Sequence, residues 1–172
     1  MEINILQKIK KEIRLAAEKL YVTMRAIAKL TEDHLNSLPR TGLMGNADFS
    51  AKKKSVAGHY NFVCSLGEKL TVATEQRSAL LSLAEKLDML SSQTFFEDSE
   101  DILSAGKLIF DLIEKIEETE TVSGRFLQGL DRFADPLNKG ENADFNSCAR
   151  ICREYFEFAT NTSSYIDNLK IF

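Results

Sequence analysis

Two cysteines, Cys148 and Cys152, stand four residues apart in this chain, and two histidines, His34 and His59, stand far upstream. Thiols and imidazoles are ligands that zinc favours, and the i,i+4 spacing puts both thiols on one helix face. Zinc needs about four ligands, however, so this pair supplies half a site at most. Cys64 and both histidines would have to converge on it, and nothing in their spacing requires that. The expectation is therefore buried, inert cysteines acting as small hydrophobes, with no metal and no cofactor. His34 falls on an apolar row near the end of the first helical segment, where a cation would favour the helix dipole.

Other chemistry fares no better. His59 lies in SVAGHYNFVCSLGEKL, and a helix-borne histidine invites comparison with histidine phosphotransfer domains. Those domains place Lys three and Gly four residues after the histidine, where this chain has Phe62 and Val63. Phosphotransfer on His59 is accordingly the most remote alternative. The carboxylates Glu114, Glu117, Glu118 and Glu120 are dense, but no Glu is followed three residues later by His, as a bundle di-metal site requires. They read as a solvated acidic face. There is no phosphate-binding glycine loop and no G-x-S-x-G motif, so no enzymatic activity is expected.

The chain has 172 residues, 44% hydrophobic and 28% charged, which suits one domain with a real core. Its net charge of −4 gives no general attraction to nucleic acid. That mean hides an asymmetry. Residues 1–86 hold 14 Lys+Arg against 9 Asp+Glu, a net of +5, and residues 87–172 hold 8 against 17, a net of −9. Either a basic hairpin packs beside an acidic one, or the basic half, including Lys52, Lys53 and Lys54, meets an acidic partner or an anionic membrane surface. The odd cysteine count and the absence of a long apolar run at the N-terminus favour a cytoplasmic setting.

Helical periodicity dominates. Leu6, Ile13, Leu20 and Ile27 repeat every seven residues beside Ile9, Ala16 and Leu30, which predicts a first helix ending before Leu38-Pro39. A second runs from about Phe49 to Ser92, with Gly58 and Gly67 as weak points where it could bend. The third starts with Asp98 or Ser99 as its cap and ends near Asp135-Pro136. Ile102, Ile109, Ile116, Leu130 and Leu137 form one of its rows, interrupted at Thr119 and Ser123 by a polar layer. A fourth, from about Asn142 to Leu169, carries Phe145, Cys148, Cys152 and Tyr155. The fold expected is all-α: an elongated, antiparallel, coiled-coil-like four-helix bundle in a single domain, 1–172.

The tetrapeptide NADF occurs at 46–49 and again at 142–145, each time after one of the only two prolines. Shifting by 96 residues also superposes Leu6 on Ile102 and Ile13 on Ile109. This suggests two duplicated hairpins, about 2–93 and 97–171. In each, NADF would start a helix, with Asn as cap, Asp in the first turn and Phe opening the buried stripe. The second unit then lacks a counterpart of residues 77–93. The bundle should be four helices thick at one end and three at the other, leaving Leu80, Leu83, Leu87 and Leu90 with Ile3, Leu6, Ile102 and Leu103 along an incompletely covered groove. The function expected is a non-catalytic protein–protein interaction module: an adaptor, helical chaperone or self-associating scaffold. Its partner would be another protein or a second copy in a homodimer, and not nucleic acid. A peripheral membrane module using the basic half is the alternative.

Overall fold

A computed structural model describes residues 2–38, 49–93, 99–139, 143–169 and 171. Four helices account for nearly all of them: α1 (Glu2–Ser37), α2 (Phe49–Ser91), α3 (Ser99–Asn138) and α4 (Phe145–Asp167). Neighbours along the chain run antiparallel. In the α3–α4 pair Phe133 meets Phe145, Ser123 meets Tyr155 and Lys115 meets Tyr165, so one number falls as the other rises. α1 packs on α2 and α4, α3 packs on α2 and α4, and α1 touches α3 across the middle. The bundle closes because each heptad row finds the others: Ile13, Leu20, Met24, Ile27, Leu66, Leu80, Ile109, Leu112, Ile116 and Leu130 are all fully buried.

The polar layer is real and is satisfied locally. The buried hydroxyls of Thr23, Thr31, Thr119 and Ser163 donate to backbone carbonyls three or four residues upstream at 2.7–2.8 Å. The Ser123 hydroxyl and the Tyr155 hydroxyl share a hydrogen bond of 2.6 Å between α3 and α4. Burial pushes the Tyr155 phenol up to about 12, against the opposing pull of Ser123.

Two local expectations need correction. α3 does not stop at Asp135-Pro136 but runs through Pro136 to Asn138. Pro136 sits so close to the end that it removes one backbone bond, and the continued turn buries Leu137. At the second NADF the cap is Asp144, whose carboxylate accepts from the Ser147 backbone N–H at 3.1 Å and the Ser147 hydroxyl at 2.6 Å. Phe145 is the first helical residue and is buried, as expected of the stripe. Asn142, residues 46–48 and Asp98 lie outside the described residues. α2 is continuous through Gly58 and Gly67.

The mismatch in helix length is present. α4 ends beside Arg14, Ala17, Glu18 and Tyr21 of α1, where Ile166, Asp167, Leu169 and Ile171 help line a cavity of about 270 Å³. Beyond that level, among the described residues, α1, α2 and α3 continue without α4. The groove expected there is nevertheless closed. Leu6, Leu80, Leu83, Leu87, Leu90 and Ile102 are between 0% and 8% exposed, so they are core and not a docking surface. Leu103 alone of the set is out in solvent, at 72%; the side chain of Ile3 lies outside the described residues. The reason is geometric: where α4 is missing, α1 and α3 face each other directly, and Lys10 Nζ meets Asp101 Oδ2 at 3.0 Å across that seam.

Charge follows the fold. The basic and acidic halves are joined by Lys10–Asp101 and by Arg77–Glu120 at 2.9 Å, the latter with Thr74 also donating to Glu120. These two pairs meet part of the sequence asymmetry within the molecule.

Helix-interior glycines offer a test. A Cβ built on Gly67 or Gly124 meets nothing within 4 Å, whereas one on Gly129 lies 3.0 Å from Ile151 Cδ1 on α4. Gly67→Ala and Gly124→Ala should each stabilise the chain by about 0.5–1 kcal/mol by restricting the unfolded state. Gly129→Ala should gain less or lose. Urea unfolding midpoints check all three.

Candidate functional site

The antiparallel topology sets the end of α1, the start of α4 and the N-terminal third of α2 at one level. His34 lies one heptad beyond Ile27 on the core row of α1, so its ring is delivered inward. Cys148 and Cys152 occupy the core row Phe145–Cys148–Cys152–Tyr155 of α4. His59 precedes Phe62 and Leu66 on the inner face of α2.

These rows bring together what spacing alone did not. One ligand atom each from His34, Cys148 and Cys152 lie within 4.8 Å of one another, and all three residues are buried. The expectation of non-converging ligands is therefore wrong for His34, and right for Cys64, which is exposed. Phe62 stacks flat on the His34 ring at 4.4 Å with 2° between planes, and Phe126 closes the wall edge-on to Phe62 at 6.0 Å.

Electrostatics at the cluster is that of a dry site. Burial, with the charge of His59 as a lesser cause, holds His34 down at about 4. His34 is neutral near pH 7, so it is not the dipole-capping cation expected from the sequence. Burial also lowers His59, opposed by the carboxylate of Asp131. The Cys152 side chain and burial push the Cys148 thiol upward. Among the described residues only two buried side-chain polar atoms have no hydrogen-bond partner, His34 Nε2 and His59 Nδ1. Each such atom costs about 1–3 kcal/mol when left unpaired.

His59 is only 3% exposed, whereas a phosphotransfer imidazole must reach solvent and a donor, so its burial speaks against that comparison. The acidic residues of α3 are tied down in part: Glu120 pairs with Arg77, and Glu118 with Lys115 at 2.9 Å. The side chains of Lys52, Lys53 and Lys54 lie outside the described residues. The one signal in the sequence for this cluster was that His34 and the two cysteines all sit on core rows at the same end of the bundle.

The outer surface has its own pattern. Large apolar side chains in solvent include Ile5 on α1, Met89 on α2, and Leu103 and Phe110 on α3, all at the three-helix end. Leu103 and Phe110 are 72% and 70% exposed and stand two helical turns apart on one face. Among the described residues no helix is long and apolar enough to cross a membrane.

Burial of neutral histidines has a pH signature. Unfolded, His34 takes up a proton near 6.5; folded, it resists until about 4. The unfolded state binds more protons in that window, so stability falls as pH drops from 6.5 to 4, by up to about 3 kcal/mol from this residue. His59 adds to the same slope, facing Asp131 as well as His34. Urea unfolding of His34→Phe in the presence of a chelator should show a flatter dependence than the parent chain; an unchanged slope would remove His34 as its source. No protein-family profile, curated protein or solved structure matches this chain.

Proposed function

We propose that the protein is a non-catalytic interaction module that engages another protein chain, a second copy included, through the outer surface of its three-helix end. The observation that supports this reading is the pair Leu103 and Phe110, exposed by 72% and 70% on one face of α3. Single exposed hydrophobes are ordinary on any surface. Two large ones at i and i+7, with Met89 and Ile5 at the same end, offer the spacing by which helices dock on partners. The interaction reading thus moves from the buried leucines of α2 to the outer rim around them, with Leu103 the one residue common to both.

Neither buried histidine stands where a substrate would reach it, in keeping with a role in binding. The membrane alternative rested on the basic half, and part of that charge is paired within the bundle by Glu120 and Asp101.

The double variant Leu103→Glu/Phe110→Glu tests the surface. Both side chains are solvated in the monomer, so unfolding midpoints should stay within about 0.5 kcal/mol of the parent. Self-association in sedimentation velocity should fall at least about tenfold, or 1.4 kcal/mol, and in the otherwise unaltered chain a photocrosslinking residue at position 110 should form adducts with a partner chain. If the parent chain is monomeric and position 110 yields no more adduct than the same group at exposed Lys19, the reading fails.

A further inference from the structure

The buried hydroxyls of Thr31 and Thr119 find backbone acceptors, yet at one level two imidazole nitrogens have no partner: His34 Nε2 and His59 Nδ1. The same level holds two buried thiols, with His34, Cys148 and Cys152 ligand atoms within 4.8 Å of one another. We propose that His34, Cys148 and Cys152, completed by His59, form a zinc site buried between α1, α2 and α4.

The donor set suits zinc. Two thiols and two neutral imidazoles make a Cys₂His₂ sphere, and Cys148-x₃-Cys152 falls within the ligand spacing of structural zinc sites. Zn–S of about 2.3 Å and Zn–N of about 2.0–2.1 Å in a tetrahedron place ligand atoms roughly 3.4–3.8 Å apart. The three atoms must therefore draw in by about one ångström, a rotamer adjustment. His59 lies near enough to His34 for its charge to act there, and its unpartnered Nδ1 makes it the candidate for the fourth position. A nearby carboxylate raises the basicity of a ligating imidazole, and the charge of Asp131 acts on His59.

Charge balance favours the buried location. Zinc displaces one proton from each thiol; both protons leave to solvent, and two thiolates cancel the dication. The product is a neutral, closed site, so no dication is left uncompensated in the core. Four protein ligands leave no open position for substrate, which makes the metal structural. It staples the last turns of α1 to the first turns of α4 and to α2, at the end opposite the apolar rim. The two assignments are independent, since loss of metal leaves Leu103 and Phe110 where they are.

The full-length chain, reduced and stripped with chelator, is titrated with Co²⁺ and then with Zn²⁺. The proposal expects thiolate-to-cobalt charge-transfer and tetrahedral d–d absorption saturating at one metal per chain, about two protons released per metal, and bleaching by zinc. Cys148→Ser and Cys152→Ser should lose charge-transfer intensity, while Cys64→Ser, altered at an exposed cysteine, should match the parent. His59→Ala should bind at least about tenfold more weakly. The parent chain needs no substitution, so its own result decides. If it is helical by circular dichroism, has free thiols, and shows no thiolate–cobalt band at saturating metal, the site is overturned. Parent-like affinity in His59→Ala overturns the fourth ligand.

Discussion

Everything in this molecule follows from four apolar stripes of unequal length that have only one another to pack against. α1, α2 and α3 present long stripes of 36, 43 and 40 residues, and α4 one of 23. Heptad spacing makes the stripes compatible, and antiparallel neighbours let short connections join them. The shortfall of α4 then decides where four layers become three. Closure at the thin end is achieved by α1 and α3 meeting directly, with Lys10 and Asp101 at the seam. Exposed ion pairs contribute little energy, so the pair marks the contact more than it drives it. Burial of Leu83, Leu87 and Leu90 does the driving.

The same constraint explains the thick end. Core rows admit whatever side chains the sequence places on them. In α1 the row that carries Ile13, Leu20 and Ile27 continues through Thr31 to His34, and in α4 it begins with Phe145, Cys148 and Cys152. Threonine solves its burial through the helix backbone, as Thr31 does with the Ile27 carbonyl at 2.7 Å. An imidazole cannot reach that acceptor in the same way, and so the histidines carry their unmet nitrogens into the core together.

Much of the architecture was legible in one dimension. Seven-residue repeats located the helices, Pro39 bounded α1, and the 96-residue offset between the two NADF copies puts Phe49 and Phe145 at matching helix starts. What failed to show was three-dimensional closure. The spacing of the leucines in residues 80–90 calls for a fourth helix, because a row count cannot tell how three helices close on one another. Pro136 was read as a stop because local rules weigh the lost N–H and not the burial gained by Leu137. Convergence of His34 with Cys148 and Cys152 depends on which helix ends share a level, a property of topology and not of spacing. His34, which its spacing puts on an apolar row, is a neutral core group and not a cation at the helix end.

The short fourth helix has one more consequence. A bundle of equal helices looks alike from either end, whereas this one has a head and a tail. From Ile5 to His34 along α1 is 29 residues, about 44 Å at 1.5 Å per residue. A rod with distinguishable ends has a direction, so anything that grips the tail also fixes where the head points. Copies gathered by their tails would splay their heads outward like the spokes of a wheel, and a chain bound singly would hold its head at arm's length from the partner.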